Sequence, residues 1–224
     1  MNQPANCQEL VGEMFKNVTF RRELDREDLE RMRIPTRYWG STFDLLTNNG
    51  GDESLQSMVG KYIVNMSEMR RAGAGFIFYG KNGTGKSCAS VVLAKEYRRR
   101  GYTVLFMEAS DLKRMVIEKE YFDEDETYWE RARSVDVLVL DDFGKGVMDS
   151  TGFGATLFDE LIRARNSRKL VTIITSNLPH SDWKDDLELK ASTIHSLKEC
   201  MIPVQVVGDD NRKGSESKLR ALLS

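Results

Sequence analysis

The sequence predicts an α/β fold, a parallel sheet with helices on both faces. Three features point there. Short apolar runs alternate with segments whose apolar residues recur at helical spacing, the pattern of strand–helix–strand units. The run from Val135 to Leu140 is apolar apart from Asp136, so most of it suits burial on both faces, as in a central parallel strand. Between Phe76-Ile77-Phe78-Tyr79 and the helix-capable stretch Cys88 to Lys95 stands Gly80-Lys81-Asn82-Gly83-Thr84-Gly85-Lys86-Ser87. Strand, glycine loop and helix, in that order, are the setting a phosphate-binding loop requires.

Each residue type in that loop has a physical reason. Three glycines let the backbone curl tightly enough to turn several N–H groups toward one anion. The following helix presents its N-terminal N–H groups and positive dipole end to the same phosphates. Lys86 supplies a mobile point charge for the β- and γ-phosphates, and Ser87 a hydroxyl for Mg²⁺. The expected nucleotide contacts are Gly80, Asn82, Gly83, Thr84, Gly85, Lys86, Ser87 and Cys88. Cys88 also reads as a small packing residue behind the loop. A glycine-rich turn that binds nothing would not need the full spacing and both flanks.

The 224 residues suit one compact domain with a short appendage. A formal net charge of −2 gives no global attraction to nucleic acid or membrane, so any DNA contact needs a local patch. No run approaches the roughly 18 apolar residues that span a bilayer. Met1 to Asn6 lacks a basic start followed by an apolar core, so no signal peptide is expected. Cys7, Cys88 and Cys200 are too widely spaced for a disulfide framework or a zinc pattern, which suits a reducing, cytoplasmic setting.

Leu10, Val11, Met14 and Phe15 fall on one helical face. A charged helix is expected from about Arg21 to Met32, read either as a solvated helix on the core or as a docking helix for a partner. Pro35 biases Ile34 away from helix and stops it. Asn48 to Asp52 reads as a turn. One helix is expected from about Glu53 to Arg71, with Leu55, Met58, Val59, Tyr62, Ile63 and Met66 on its buried face. Arg98-Arg99-Arg100-Gly101 reads as a basic last turn with a glycine stop, or alternatively as a DNA patch. Further strands are expected at 103–107, 135–140, 171–176 and 202–207, with Pro203 suiting a strand start or sheet edge. Further helices are expected at about 110–119, 126–133 and 156–167.

Carboxylates at the end of a buried strand are costly without a cation or donors. Asp141 and Asp142 close the 135–140 run. Asp141 fits the Walker-B carboxylate that holds Mg²⁺, and Asp142 the carboxylate that orients or deprotonates the attacking water. Both also suit a capping pair that starts a loop. Asn177 ends the 171–176 strand, where an amide can reach the attacking water or the γ-phosphate; it can equally start the turn Asn177-Leu178-Pro179.

The ordered set of Arg33-Ile34-Pro35-Thr36-Arg37-Tyr38, the glycine loop, Asp136 to Gly144, Thr172 to Leu178 and Gly208-Asp209-Asp210-Asn211-Arg212 resembles the DnaC/DnaI-type helicase loaders and the related IstB transposition helpers. The resemblance spans about residues 33–213. It implies a P-loop AAA+ ATPase, a three-layer sandwich whose five-stranded parallel sheet runs in the order 5-1-4-3-2, with a short helical N-terminal extension. It implies Mg²⁺-dependent ATP hydrolysis, an ATP-dependent homo-oligomer around single-stranded DNA, and delivery of a replicative DNA helicase. It divides the chain into an extension, 1–32, suited to partner docking, an ATPase domain, 33–213, and a polar tail, 214–224. Arg212 matches the family's late arginine that contacts nucleotide, and also suits a solvated tail. DNA contacts are sought at Lys113, Arg114, Lys119 and Lys145, each of which also suits solvated surface.

Two departures stand out. Only about 32 residues precede the Ile-Pro segment, against a longer helicase-binding domain in most family members. Ser196 falls where the family carries its arginine finger, leaving Lys198, Arg163 and Arg165 as alternatives. Three functions follow: a helicase-loading ATPase or its transposition-helper relative, a nucleotide-gated adaptor with little turnover, and a small-molecule kinase. The last usually needs an arginine-rich lid, and no segment reads as one.

Overall fold

The computed structural model describes residues 22–46, 49–50, 53–112, 128–144, 146, 152–187 and 189–210. The first expected helix (Gln8–Phe15), the tail from 211 and most of the 110–119 segment lie outside them. Among the described residues no helix is long and apolar enough to cross a membrane.

Five parallel strands form the centre: β3 (Gly75–Tyr79), β4 (Val104–Glu108), β5 (Val137–Phe143), β6 (Val171–Ser176) and β7 (Met201–Val207). They lie in the order β7-β3-β6-β5-β4, which is 5-1-4-3-2 counted along the chain. The pairings are parallel, with Ile77 facing both Ile174 and Pro203, and Val104 facing Val137. Side chains alternate across the sheet as the period of two requires. Val137 and Val139 join one core with Phe76, Phe78, Phe106 and the helices Leu55–Val64 and Lys86–Arg99. Leu138 and Leu140 join the other with Ile77, Leu105, Ile174 and the helices Phe153–Asn166 and Ala191–Cys200. The result is the expected three-layer sandwich, with burial worth roughly 1.5–3 kcal/mol for each large apolar side chain.

The sheet is wider than five strands. Asn49–Gly50 (β1) pairs antiparallel with the Val206–Val207 end of β7, and Glu53–Ser54 (β2) pairs with β1. The stretch expected to be only a turn therefore adds a hairpin to the β7 edge. Pro203 sits where β7 is paired by β3 alone, an open-sided stretch of strand that tolerates a residue without an N–H.

The single helix expected over 53–71 is two, α2 (Leu55–Val64) and α3 (Met66–Ala72). Asn65 separates them: its backbone leaves the helical region at φ −92° and ψ 15°, and its side-chain amide donates to the Lys61 carbonyl. Asp136 precedes β5 instead of interrupting it. Its carboxylate pairs with Arg70 and accepts from the Thr103 N–H and hydroxyl, tying α3 to the starts of β4 and β5.

Ahead of the sheet, α1 (Arg26–Arg31) is capped by Asp25. Its buried Asp28 accepts from Arg98 at 2.9 Å and pairs with Arg22. Burial alone raises the Asp28 carboxyl, but Arg98 and Arg22 outweigh it and hold the group below the usual range. The chain then passes along the β4 edge, where the Phe106 N–H donates to the Met32 carbonyl at 2.7 Å. Arg99 and Arg100 both pair with Glu96, and Arg100 also donates to the Ile63 carbonyl. The arginine triplet thus serves internal packing and charge pairing.

Candidate functional site: a glycine loop beside two strand-end carboxylates

β3 ends at Tyr79, and Gly80 turns away from the sheet at φ 140°, pressed so closely on the Val206 carbonyl that a Cβ would lie 2.3 Å from it. Gly83 and Gly85 also hold positive φ, 78° and 99°, the backbone freedom for which glycine is needed. The Thr84 side chain is buried and donates to the Lys81 carbonyl. Helix α4 (Lys86–Arg99) begins at once. The Lys86 ammonium folds back under the loop and donates to the carbonyls of Gly80 and Lys81 at 2.8 and 2.7 Å.

Opposing carboxylates come from β5. Sequence spacing placed Asp141 and Asp142 just past the strand, but β5 continues to Phe143. The cause is Phe143, fully buried and stacked on Phe158 with ring centroids 4.1 Å apart. Asp141 therefore lies within the ladder, opposite Glu108 of β4. Asp142 is lifted out by an irregularity between Leu140 and Phe143 and takes a left-handed φ of 57°. Such a conformation is uncommon for a residue with a Cβ.

Thr175 of β6 ties the pair together. Its hydroxyl donates to the Asp141 carboxylate at 2.6 Å and accepts from the Asp142 N–H at 2.9 Å. Asn177, exposed past the end of β6, donates from its side chain to the Asp142 carboxylate at 2.9 Å. Asp141 is 3% exposed. Burial pushes its carboxyl above the usual range, hydrogen bonds from Thr175 and Ser87 pull against that, and the charge of Asp142 adds to the rise.

These groups surround one cavity of about 600 Å³, lined among others by Asn82, Gly83, Gly85, Lys86, Ser87, Cys88, Asp141, Asp142 and Asn177. Gly80 and Thr84 support the loop from outside that lining. A second cavity of about 330 Å³ shares Glu108, Asp141, Asp142 and Asn177 with it. Ser87 and Asp141 both line this cavity and offer two hard oxygen donors. That set fits Mg²⁺, which takes one or two protein oxygens and completes its shell with water and phosphate. Arg212, Lys113, Arg114, Lys119 and Lys145 lie outside the described residues.

Arg37, Tyr38, Glu108 and Thr175 also line the main cavity and were given no role at the site by sequence. Glu108 carried a usable signal, since it ends the apolar run Val104 to Met107 much as Asp141 ends Val137 to Leu140. Of the alternative cations, Arg165 is corrected. It is 1% exposed and donates to Thr172 Oγ1 and to the carbonyls of Ala132, Val135 and Val171, so it cannot reach another molecule. Arg163 is exposed, paired with Asp159 and bonded to Ser192. Lys198 is exposed on the helix Ala191–Cys200.

A parallel 5-1-4-3-2 sheet, with a glycine loop after its first strand and carboxylates on the strand that lies two places along, defines a P-loop AAA+ protein. Residues 61–218 match the family of IstB-like ATP binding proteins, and the chain belongs to that family. Among solved structures, the DnaC helicase loader superposes with a TM-score of 0.67 at 21% identity, covering 77% of this chain and all of that one. DnaI gives 0.64 at 17% identity, covering 80% of this chain and 94% of that one. Replication initiator DnaA bound to AMPPCP and single-stranded DNA gives 0.60 at 20% identity, covering 84% of this chain and 56% of that one. A comparison with curated proteins gives no match.

Proposed function

We propose that this protein binds and hydrolyses ATP with Mg²⁺ and uses the cycle to load a replicative DNA helicase onto single-stranded DNA. The observation that carries the ATP reading is the convergence of Lys86, Ser87, Asp141, Asp142 and Asn177 on one cavity. In this reading the loop N–H groups and Lys86 hold the phosphates, and Ser87 and Asp141 hold the metal, which supplies charge neutralisation when bound. Asp142, steered by Asn177, orients the attacking water and accepts its proton as the new bond to the γ-phosphorus forms and the bond to the bridging oxygen breaks. Catalysis of this kind is positioning and charge stabilisation.

The likeness in fold to DnaC and DnaI supports helicase loading as the use of that cycle. The IstB-like family match supports a second client, a transposase. In both cases we assign partner docking to the stretch 1–32, ATP chemistry to 33–213, with Arg212 reaching the nucleotide, and a tail role to 214–224. The test is capture of partners with ATP-loaded Asp142→Asn protein, identified by mass spectrometry. A replicative helicase supports the loader; a transposase moves the protein to the transposition branch. Full function in an Asp142→Asn strain would reduce the protein to a nucleotide-gated adaptor.

A further inference from the structure

We propose that Arg37 is the cation that reads the terminal phosphate of the bound nucleotide, supplied by the chain itself. The inference rests on the ATP-site reading above and adds one residue to that site. Arg37 lines the main cavity together with Lys86, Ser87 and Asp141. Its guanidinium lies over the Tyr38 ring, 4.9 Å from the centroid, and donates to Glu108 at 3.0 Å. Glu108 stands opposite Asp141 in the β4–β5 register. The guanidinium is thus parked at the mouth of the phosphate site, against the carboxylate next to the one assigned to the metal.

The Arg37 side chain is 60% exposed, so it does not serve the core. The backbone beneath it is firmly held. Trp39 Nε1 donates to the Ile34 carbonyl at 2.8 Å, and the Lys95 ammonium donates to the carbonyls of Trp39 and Ser41 at 2.7 and 2.8 Å. Ile34 is 3% exposed. A fixed base with an exposed tip suits a group that must swing a short distance to meet an incoming charge. Phosphate carries more charge than a carboxylate and offers several oxygens to a planar fork. A γ-phosphate therefore competes with Glu108 for Arg37, whereas ADP has no γ-phosphate to do so. Of the arginines weighed as the finger, Arg165 is engaged under carbonyls and Arg163 with Asp159 and Ser192.

The experiment is equilibrium binding of ADP and of AMPPCP, each with Mg²⁺, to the full chain and its variants. Arg37→Ala is expected to bind ADP as the parent does and to lose about tenfold to a hundredfold in AMPPCP affinity. Arg37→Lys is expected to recover only part, since a point charge does not reproduce the fork. An unchanged melting temperature of nucleotide-free Arg37→Ala separates the effect from folding. Arg37→Ala with undiminished AMPPCP affinity overturns the proposal, as does Arg163→Ala producing the loss instead. A parent protein that binds neither nucleotide overturns the ATP-site reading and this proposal together, and the absent ADP binding identifies that failure.

Discussion

The Thr175 hydroxyl donates to the Asp141 carboxylate across the β5–β6 boundary at 2.6 Å. It also receives the Asp142 N–H at 2.9 Å, so one buried hydroxyl serves both acidic residues. Thr175→Val keeps the shape, removes the hydroxyl and leaves both of its partners unpaired. We expect a loss of about 1–3 kcal/mol, the cost of orphaned buried polar groups, measured by urea unfolding. Thr175→Ser should recover most of it; equal stability of parent and Val variant would show the bonds to be of no consequence.

The raised carboxyl of Asp141 predicts a pH signature. Burial favours its neutral form in the fold, with Thr175 and Ser87 opposing. A folded pKa above the unfolded one means stability present below the unfolded value and lost as pH rises through the folded value. Asp141→Asn removes that liability. Without nucleotide, the variant should melt higher than the parent above the ordinary carboxylate range and match it in acid. It should also lose the thermal shift given by ATP with Mg²⁺. A variant less stable at neutral pH would refute the account.

Arg165 is predicted to be structural. Arg165→Leu orphans the carbonyls of Ala132, Val135 and Val171, and we expect a loss of about 3 kcal/mol or more. Exposed Arg163→Ala should cost less than about 1 kcal/mol. Denaturant midpoints for the two variants decide it, and comparable values would contradict the assignment.

Gly83 is predicted to be irreplaceable for two separable reasons. Its φ of 78° is left-handed, and a Cβ would lie 1.7 Å from the Asp210 carboxylate. Gly83→Ala should weaken nucleotide binding sharply. Asp210→Ala in the same chain should restore part, leaving the backbone strain of about 1–2 kcal/mol. Additive effects in a double-mutant cycle would mean that the two residues do not meet.

Much of this was legible because it is local. The glycine loop announces itself by spacing, and β6 was expected over the same residues, 171–176, that form it. The β5 end was misplaced because what extends the strand is tertiary, the packing of Phe143 against Phe158 and Trp183. Arg165 looked like any surface arginine of a polar helix, since its acceptors come from two other stretches, 132–135 and 171–172. Arg37 and Glu108 are 71 residues apart, and only the fold brings them to one cavity.

The Phe106 N–H bond to Met32 makes the segment after α1 an added rung on the sheet. That segment leads within five residues to Arg37, and Phe106 lies within two of Glu108. A force applied to α1 therefore arrives at both members of the guanidinium–carboxylate pair along stiff, hydrogen-bonded backbone. Where residues 1–32 dock a partner, as proposed, this arrangement would give that partner a short lever on the phosphate site, with its fulcrum at the β4 edge. Amide exchange at Phe106 is the gauge of that coupling: it should quicken when Asp28→Asn loosens α1, and an unchanged rate would mean that the lever is not attached.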